Sequence, residues 1–290
     1  MAKTFGWAFI GTGTLARGIV GSIMEGGRHK VVSAYSRNRE RLVSFTSKCG
    51  AYPALSVEDA ILQDGVDCVH ISVTNESHYS VAMECLEKGK HVLLEKPFTI
   101  TADETIALIQ KAKEKGVYLA EAMWTWFGDV SYSVKKIFDE GRLGELKSVE
   151  MAFAEYSIGY APRVSDPLLG GGAVLDIGIY PITYAYRVFG MPEKILCSGT
   201  VEGGIDTKED ITFVYKDFSV HMFVSIVDRK GNYLVAEGEK GTLTIPKFST
   251  CNPGILKIGD EIIFLPGGRG YVDEFDRVAD EIEECLLESR

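Results

Sequence analysis

Short β-rich runs alternate with longer helical patterns through the first 120 residues, and this alternation constrains the fold more than any other feature of the sequence. Predicted strands cover residues 7–10, 31–35, 66–73, 91–94 and 117–120, and predicted helices cover residues 14–25, 40–48, 80–88 and 103–115. Strands that alternate with helices form βαβ units, which build a parallel sheet through right-handed crossovers. We therefore predict a doubly wound α/β domain over residues 1–122.

The pattern changes after about residue 124. A predicted helix over residues 132–140 is followed by strand-like runs at 146–154, 194–201, 210–216, 219–227, 232–237 and 242–245. Short turns join the later runs, which favours antiparallel pairing. We therefore predict a second domain of the α+β class over residues 123–290, with an open and mainly antiparallel sheet.

The composition argues against several classes of partner. Hydrophobic residues make up 46% and charged residues 25%, as in a globular chain, and the net charge of −10 offers no basic surface for nucleic acid or an anionic membrane. The N-terminal apolar run is too short for a signal peptide or a spanning helix, so we expect a cytoplasmic protein. The six cysteines form no CxxC motif and the five histidines no HExxH motif, so we expect reduced thiols and no metal site.

A glycine-rich loop, Gly11-Thr12-Gly13-Thr14-Leu15-Ala16, links the first predicted strand to the first predicted helix. This is the G-x-G-x-x-G/A arrangement of a Rossmann dinucleotide site, in which Gly11 makes the tight turn and Gly13 lets the backbone approach a pyrophosphate. The small Ala16 packs the helix on the strand, and the helix N-terminus faces the anion. A plain strand–helix turn can carry the same glycines, but the position in the first βαβ unit favours dinucleotide binding by residues 11–15.

The end of the second predicted strand indicates which dinucleotide is bound. An NAD site usually has Asp or Glu there, on the ribose 2′-hydroxyl. Here the residues are Tyr35-Ser36-Arg37-Asn38-Arg39, with no acid. Ser36 can hydrogen-bond a 2′-phosphate and Arg37 can neutralise it, so we predict NADP(H) over NAD(H). The alternative is that these arginines are solvated surface charges.

The fourth predicted strand ends in the charged pair Glu95-Lys96, followed by Pro97. A lysine and a proline after a strand usually mean a solvated side chain and the end of the strand. In open α/β sheets, however, ligands bind at the carboxyl ends of the strands, where the glycine-rich loop also lies. We therefore expect Lys96 on the side of the sheet that binds the cofactor, with its backbone restricted by Pro97.

Several stretches resemble signatures of the Gfo/Idh/MocA oxidoreductases, the family named for glucose–fructose oxidoreductase and inositol dehydrogenase. Residues 89–97, Gly-Lys-His-Val-Leu-Leu-Glu-Lys-Pro, look like its most specific signature, and residues 73–78, Val-Thr-Asn-Glu-Ser-His, are similar to its TPN-x-x-H loop. Residues 170–180 match its second motif, so the resemblance covers both domains. The Asp-x-Gly-x-Tyr form of that motif and residues 121–125, Glu-Ala-Met-Trp-Thr, look closest to the dimeric dihydrodiol dehydrogenase branch.

The resemblance implies roles for particular residues. Lys96 would lie by the nicotinamide ribose and the reacting oxygen, and the Lys96-Pro97 peptide bond would be cis. The family pattern also assigns the cofactor site to Val73, Thr74, Asn75, His78 and Glu95. It implies a homodimer. Relatives usually continue for some tens of residues and end in a helix that returns to the first domain, whereas this sequence ends just after the helical stretch 274–287.

The second motif also makes physical sense without the family. Three glycines at 170–172 permit close backbone approach, and a helix with one apolar face follows. Pro181 is tolerated only in a first helical turn, so we predict a helix start near residues 178–180. Tyr180 would then lie near the positive end of the helix, which favours a phenolate. The alternatives are an ordinary buried tyrosine and, for Asp176, a helix N-cap; the resemblance favours catalysis for both.

Interconversion of an alcohol and a carbonyl needs a hydride partner, here NADP(H), and a proton partner. A tyrosine with an unperturbed pKa near 10 is a poor base at neutral pH, and a nearby cation lowers that pKa. We therefore predict that Lys96 polarises the substrate oxygen and favours the phenolate of Tyr180, while Asp176 orients either group or relays the proton. In the alternative assignment, Lys96 itself carries the proton.

Substrate contacts are expected from the second domain. Trp124 and Phe127 can offer apolar faces to a sugar, polyol or cyclic diol, and Arg163 can meet cofactor or substrate oxygens. Core aromatics and a surface arginine are the alternatives. Relatives tend to have Arg-Phe after the Trp-Thr pair, where this chain has Trp126-Phe127, so the substrate of the dihydrodiol branch does not simply carry over. The alternative function is a catalytically silent, dinucleotide-sensing regulator of the same fold.

Overall fold

The computed structural model describes residues 4–288, with side chains described as far as Glu284. The chain forms two compact units, one of Met1–Ala122 with Glu274–Arg290 and one of Met123–Asp273. The predicted fold classes are confirmed, because the first unit is built on a parallel sheet and the second on a mainly antiparallel sheet.

The first unit contains six strands and five helices ahead of residue 122. Its strands are β1 (Phe5–Ile10), β2 (His29–Tyr35), β3 (Tyr52–Pro53), β4 (Cys68–Ile71), β5 (His91–Glu95) and β6 (Leu119–Ala122). Its helices are α1 (Thr14–Met24), α2 (Arg39–Cys49), α3 (Val57–Ile61), α4 (His78–Glu87) and α5 (Ala102–Lys115). All residues of β1 are buried, as expected for the centre of a parallel sheet that is covered on both faces.

The strand order in this sheet is β3-β2-β1-β4-β5-β6, so the direction of winding reverses between β1 and β4. In open α/β sheets a ligand crevice lies outside the carboxyl ends of the strands at such a switch point. The segments that leave β1, β4 and β5 all emerge at this edge. They are residues 11–13, 72–77 and 96–101, which contain most of the predicted cofactor residues.

The second unit contains an eight-stranded sheet with helices that precede or interrupt it. Its strands are β7 (Leu146–Ala154), β8 (Lys194–Glu202), β9 (Ile205–Val214), β10 (Ser219–Ser225), β11 (Gly231–Gly238), β12 (Gly241–Pro246), β13 (Gly254–Ile258) and β14 (Glu261–Leu265). Its helices are α6 (Trp124–Phe127), α7 (Asp129–Asp139), α8 (Pro162–Ser165) and α9 (Ile179–Phe189). The order is β14-β13-β12-β11-β7-β10-β9-β8, and its one parallel pair is β7 with β10.

The two faces of this second sheet differ. Alternate residues of β9 are buried, since successive side chains of a strand point to opposite faces, and α7 and α9 pack with the buried side chains in one hydrophobic core. On the opposite face the strand register aligns Phe264, Ile255, Thr244 and Val235 in one row. The edge strand β8 is exposed along its whole length.

The segment Pro167–Phe189 is long and apolar enough, by length and composition alone, to cross a membrane. Half of that stretch is buried inside the fold, and α9 packs on the core of the second unit. A core helix passes the same test, so this segment is weak evidence for membrane insertion.

The C-terminal helix α10 (Tyr271–Glu288) departs from the predicted domain division. We expected residues 274–290 in the second domain, but they belong to the first compact unit. The reason is the apolar face of α10, on which the buried residues are Phe275, Val278, Ala279 and Ile282. The Phe275 ring lies 4.4 Å from the ring of Trp7 on β1, so α10 completes the core beside the parallel sheet.

The cysteines form free thiols as far as the structure describes them, at Cys49, Cys68, Cys85, Cys197 and Cys251. Cys285 falls outside the residues whose side chains are described. Within the described part of the chain, no group of three or more His, Cys, Asp or Glu side chains is arranged to hold a metal ion.

Candidate active site

The glycine-rich loop after β1 runs close to the end of β4. Gly11 has a φ of 105°, and a Cβ atom built on it would lie 2.3 Å from the backbone oxygen of Ser72. Only glycine fits here, because both the positive φ and the neighbouring backbone exclude a side chain. The Gly11 N–H donates to the Tyr35 carbonyl (2.9 Å) and the Ser72 N–H donates to the Ile10 carbonyl (2.8 Å), so the sheet itself holds the loop.

The N-terminus of α1, which directly follows this loop, has no side-chain cap and has free space beside it. Gly13 is the N-cap residue and supplies no side-chain cap, and a Cβ atom built on it meets nothing within 4 Å. The first N–H groups of a helix have no intrahelical partner and attract anions. The hydroxyls of Thr12 and Ser72 are buried and have no hydrogen-bond partner within the described part of the chain. Open amides, unpartnered hydroxyls and free space together fit the pyrophosphate of a dinucleotide.

Ser36 and Arg37 directly follow β2. Ser36 is half-buried and Arg37 is exposed. Asn38 is used by the fold, because its side chain caps α2 and accepts the Arg41 N–H (2.9 Å). The first acid after β2 is Glu40, inside the first turn of α2. This loop therefore presents a hydroxyl and a guanidinium before the helix begins.

His78 ties the segment after β4 to the segment after β5. Its Nδ1 lies 2.8 Å from the Pro97 carbonyl oxygen, and its Nε2 lies 3.3 Å from the Val73 carbonyl oxygen. Burial lowers the pKa of His78, against the opposing effect of these backbone contacts. A neutral imidazole carries one N–H and donates to one carbonyl, and the shorter contact favours Pro97. His78 thus holds the two segments together, and the first of them contains Thr74 and the buried Asn75.

Lys96 is half-buried and follows β5 directly. The Lys96-Pro97 peptide bond is cis, as the family resemblance implied. The backbone that follows is fixed by the His78 contact at Pro97 and by the Phe98 N–H, which donates to Oε1 of Glu121 (3.0 Å). Since His78 begins α4 and Glu121 lies on β6, elements on both sides of β5 hold the segment that carries Lys96.

Two buried acids belong to the same region of the first unit. Glu95 ends β5, and its Oε1 lies 3.4 Å from Nε2 of His70 on β4, without the alignment of a hydrogen bond. Glu274 on α10 is fully buried, and neither of its carboxyl oxygens has a hydrogen-bond partner among the described residues. Burial, followed by the charges of Glu95 and Glu121, raises the pKa of Glu274 well above its usual value. No local sequence motif marks Glu274, so it was not among the predicted residues.

The predicted catalytic residues of the second unit lie on a helical segment that begins with a π-helical turn, Val174–Gly178. The Ile179 N–H donates to the Val174 carbonyl across this wider turn, and α9 follows. The predicted helix start near residues 178–180 is wrong for the helical run as a whole, which begins at residues 173–174, so Tyr180 does not lie at its positive end. Only the α-helical part, α9, begins at Ile179, with Pro181 in its first turn. The preceding π turn was not predicted. Such turns are frequent at functional sites.

Asp206 on β9 fixes the start of this helical segment. Its Oδ2 accepts the Val174 N–H (2.6 Å), and a Cβ atom built on Gly172 would lie 2.1 Å from its Oδ1. Gly172 also has a φ of 131°, so the third glycine of the motif is required by the approach of Asp206. Asp206 was not among the predicted residues, because it follows Val174 by 32 residues and belongs to no motif.

Asp176 lies within the π turn and forms an ion pair with Arg163. The side chain of Asp176 is 9% exposed and that of Arg163 is 41% exposed, so the pair reaches from the interior to the surface. Ala173 is the N-cap of the turn, which makes the N-cap alternative for Asp176 wrong. The surface-arginine alternative describes Arg163 only in part, because Asp176 orients its guanidinium.

Tyr180 lies in the first turn of α9, against aromatic side chains. The indole N–H of Trp124 donates to the Tyr180 hydroxyl oxygen (3.3 Å), and the ring of Phe153 lies 5.5 Å from the Tyr180 ring. Trp124 also stacks on Tyr271, with ring centres 4.8 Å apart and 21° between the planes. Phe127, in contrast, is buried, which favours its alternative as a packing residue.

Each unit therefore brings its own predicted residues together. In the first unit His78 joins the loop that carries Val73 to the segment that carries Lys96. In the second unit Asp176 and Tyr180 are four residues apart on one helical segment. Residues spaced in this way share a face of a helix.

Two family models match the chain. The model described as "Oxidoreductase family, NAD-binding Rossmann fold" matches residues 5–123. The model described as "GFO/IDH/MocA C-terminal domain" matches residues 132–244. The first match falls on the unit with the parallel sheet and the second on the unit with the open sheet.

Curated relatives match most of the chain. The trans-1,2-dihydrobenzene-1,2-diol dehydrogenase of Macaca fascicularis is 30% identical over an alignment of 243 positions, which covers 82% of this chain and 72% of the macaque chain. The enzyme of the same name from Sus scrofa is 28% identical over an alignment of 296 positions, gaps included, which covers 97% of this chain and 88% of the pig chain.

Solved structures share the fold at lower identity. KijD10, a 3-ketoreductase from Actinomadura kijaniata solved with NADP and TDP-benzene, gives a TM-score of 0.87 at 22% identity, over 98% of this chain and 91% of that chain. An aldose–aldose oxidoreductase from Caulobacter crescentus gives a TM-score of 0.86 at 21% identity, over 99% of this chain and 91% of that chain.

Proposed function

The chain belongs to the Gfo/Idh/MocA family of NAD(P)-binding oxidoreductases, and from this premise we propose that it transfers a hydride between the nicotinamide and a hydroxyl or carbonyl group of a sugar, polyol or cyclic diol. One observation supports this most directly. The indole N–H of Trp124 donates to the Tyr180 oxygen, so a side chain of the same unit orients the tyrosine hydroxyl. A tyrosine oriented in this way is suited to exchange a proton with a substrate oxygen.

The first unit supplies the residues that would hold the cofactor. The open N-terminus of α1 and the hydroxyls of Thr12 and Ser72 suit the pyrophosphate, and the segments tied by His78 would border the nicotinamide end. When bound, the nicotinamide supplies or accepts the hydride. The side chains of the protein would then place the substrate carbon, exclude water and move one proton.

We propose NADP(H) as the preferred cofactor. Ser36 and Arg37 stand where an NAD site would place an acid, and a hydroxyl beside a guanidinium suits a 2′-phosphate. A solved structure of the same fold contains NADP, which is in keeping with this preference.

The proton step is assigned to Lys96, Tyr180 and Asp176. The Lys96 ammonium polarises the substrate oxygen and stabilises negative charge that develops on it. Tyr180 gives or takes the proton, and its hydroxyl is oriented by Trp124. Asp176, held by Arg163, orients these groups. Lys96 belongs to the first unit and Tyr180 to the second, so their joint action is a proposal for substitution to test.

A ring-shaped substrate fits the second unit best. Trp124 and Tyr271 stack almost parallel, and Trp124 is half-buried, so the pair offers a flat apolar surface next to the Tyr180 hydroxyl. Apolar ring faces pack well on aromatic side chains. The relatives are named for a cyclic diol, and the neighbours in fold for a ketone and an aldose.

The decisive experiment is a screen of cofactor reduction at equal concentrations of NADP+ and NAD+. The substrates are cyclic polyols, aldoses and trans-diols, and the readout is the appearance of reduced nicotinamide. Saturable turnover with at least one class, faster with NADP+, is the expected result. A protein that binds NADPH but turns over no member of the panel would instead favour the dinucleotide-sensing regulator.

We also propose that the protein is a homodimer and that it is located in the cytoplasm. The open face of the second sheet carries the apolar row that includes Ile255 and Phe264, and the Phe264 side chain is 75% exposed. An isologous contact between two such faces would cover it in both copies.

A further inference from the structure

Cys251 ends a tight turn of the second unit that the proposed mechanism does not use. The turn, residues 247–251, follows β12 and contains the short 3₁₀ helix Phe248–Thr250. Both of its end residues have a left-handed backbone, with a φ of 49° at Lys247 and of 53° at Cys251. This conformation is disfavoured for a residue with a side chain and persists only where the surrounding contacts impose it. The contacts of Cys251 show what imposes it there.

The thiol of Cys251 holds the short helix α6, which begins with Trp124. Its Sγ lies 3.6 Å from the carbonyl oxygen of Trp124 and 3.6 Å from that of Thr125. The last carbonyl groups of a helix have no intrahelical partner, and a thiol is a weak donor that can supply one. Cys251 is 1% exposed, so this contact is shielded from water. The thiol therefore fixes the backbone from which the Trp124 side chain projects.

Two glycines show how closely the surrounding segments pack on Cys251. A Cβ atom built on Gly128, just after α6, would lie 2.8 Å from the Sγ of Cys251. A Cβ atom built on Gly268 would lie 3.0 Å from the Cβ of Cys251. Packing this close leaves no room for a side chain at either position. Glycine is therefore needed where the cysteine side chain meets α6 and where it meets the segment 266–270.

The backbone of Cys251 holds this second segment, residues 266–270, which links β14 to α10. The Gly268 N–H donates to the Cys251 carbonyl oxygen (2.8 Å). Tyr271 follows the segment directly and stacks on the Trp124 ring. One residue is thus attached to both partners of the aromatic stack, to Trp124 through its thiol and to the approach of Tyr271 through its carbonyl group.

The other end of the segment is held by an ion pair. Nε of Arg269 donates to Oδ1 of Asp273 (2.7 Å), and the backbone N–H of Arg269 donates to Oδ2 of the same carboxylate (2.6 Å). A Cβ atom built on Gly270 would lie 3.2 Å from the Trp124 ring, so the segment itself also packs on the indole. Trp124 is therefore fixed through its backbone by the Cys251 thiol and through its ring by a segment that Cys251 also anchors.

We propose that Cys251 is a positioning residue for the proton step, and that it keeps the indole N–H of Trp124 directed at the Tyr180 hydroxyl. The hydrogen bond in question joins Nε1 of Trp124 to the Tyr180 oxygen (3.3 Å). The inference rests on the proposed function only in that Tyr180 is the group that handles the proton. It concerns side chains of the second unit alone.

The first test follows the Trp124 indole N–H by NMR in protein labelled with ¹⁵N-tryptophan, and it needs no substrate. The chain has three tryptophans, and Trp124→Phe identifies the signal of interest. Cys251→Gly removes the thiol and keeps the left-handed backbone, which glycine adopts readily, so this variant should fold. We expect the Trp124 signal to shift in Cys251→Gly, as it should in Tyr180→Phe, which removes the acceptor. The Trp7 signal should stay in place, because that indole N–H donates to His29 in the first unit. An unmoved Trp124 signal in Cys251→Gly would overturn the proposal.

Ser249→Ala is the matched control. Ser249 lies in the same turn and is 3% exposed, but its hydroxyl is bonded to the side chain of Asn232 and not to α6. Loss of this bond should loosen the turn and leave the Trp124 signal in place. If Ser249→Ala moved that signal as far as Cys251→Gly does, Cys251 would act only through the stability of the turn, and the proposal would fail.

The second test is steady-state kinetics on the best substrate of the screen. Cys251→Gly should lower kcat by about tenfold or more, since a misplacement of about 1 Å near a reacting group can cost about 10² in rate. NADPH affinity should be nearly unchanged, because the proposed cofactor residues lie in the first unit. Cys251→Ser restores a hydrogen-bond donor and should recover most of the lost turnover. If only the backbone conformation mattered, the order would be reversed, because glycine adopts a left-handed conformation more readily than serine.

The two tests separate this inference from the proposed function. A Trp124 signal that responds to Cys251→Gly and not to Ser249→Ala supports the positioning role even if no substrate of the panel turns over, and then only the proposed function fails. A folded Cys251→Gly variant with the kcat of the wild type would refute the positioning role and leave the proposed function intact.

Discussion

Side chains that do not react hold several of the side chains assigned to chemistry. Trp124 orients the Tyr180 hydroxyl, and Arg163 pairs with Asp176. His78 fixes the backbone at Pro97, the residue after Lys96. A single neutral hydrogen bond contributes only about 0.5–1.5 kcal/mol to stability, but a misplacement of about 1 Å at a reacting group can cost about 10² in rate. At the scale of single residues, these neighbours should therefore matter more to turnover than to folding.

Substitution of the two proposed proton-handling residues tests the mechanism. Lys96→Met and Tyr180→Phe should each lower kcat by about 10² or more, because each removes a charge or a proton donor from the substrate oxygen. Steady-state kinetics on the best substrate of the screen is the measurement, with NADPH affinity of Tyr180→Phe as the control. Near-normal turnover of both variants would refute the assignment.

The proposed preference for NADP(H) over NAD(H) also depends on single residues, Ser36 and Arg37. Arg37→Ala should weaken NADPH binding by about 10- to 100-fold, the usual loss for a hydrogen bond to a charged group, and should leave NADH binding nearly unchanged. Fluorescence titration with each reduced cofactor measures both. Arg39→Ala is the matched control, since Arg39 is an exposed arginine already inside α2. Equal loss of NADPH and NADH affinity in Arg37→Ala would contradict a 2′-phosphate contact.

At the scale of elements, α10 has a structural role that its position in the sequence hides. Its apolar face packs beside β1, where the Phe275 ring meets the Trp7 ring. Near the same place Arg28 forms ion pairs with Asp276 and Asp280 on α10. Such exposed pairs contribute little, about 0–1 kcal/mol, so the buried aromatic contact is the main attachment.

Phe275→Ala should therefore destabilise the first unit by about 3–5 kcal/mol, the usual range for removal of a fully buried phenylalanine. Urea unfolding followed by Trp fluorescence would measure the change. Leu55→Ala is the control, because Leu55 is 75% exposed in the same unit and should change stability by less than about 0.5 kcal/mol. Equal stability of Phe275→Ala and the wild type would show that α10 is not part of this core.

The elements that the sequence predicted well are those with strong local signals. β1, β2 and β5 are apolar runs with clear ends, and the fingerprint and Lys96-Pro97 motifs lie where the sheet topology requires. The predicted strand 66–73 is shorter in the structure, Cys68–Ile71, because the chain turns away at the switch point. Of the missed strands, β3 and β14 lie at sheet edges, where partial exposure weakens the alternating pattern. β13 lies inside its sheet and alternates buried and exposed residues, so its local pattern could have predicted it.

The parts of the site that escaped prediction depend on contacts that are distant in sequence. Asp206 meets Val174 only after β9 has folded back, and Glu274 is buried only because α10 packs with the first unit. The π turn is set by packing and by Asp206 and has no compositional signature. Long-range contacts of this kind leave no local periodicity, so one sequence cannot reveal them.

At the scale of the whole molecule, the open face of the second sheet is the proposed dimer contact. Ile255 and Phe264 are cross-strand partners on that face. The double substitution Ile255→Glu and Phe264→Glu should convert a dimer to a monomer, because it places like charges where apolar side chains would meet their copies. Light scattering coupled to size-exclusion chromatography measures the mass. Leu55→Glu, on the first unit, is the control, and a double variant that remains dimeric would place the contact elsewhere.

The division of the first unit between the two ends of the chain also bears on how the protein is made. A ribosome that adds about 5–20 residues per second needs about 8–30 s to pass from Met123 to Glu274. Throughout that interval Phe275 has not been synthesised, so the face of the sheet that carries the Trp7 ring is uncovered. The emerging chain thus exposes an aromatic patch until α10 has been synthesised, and it is during this period that a chaperone would protect it from aggregation.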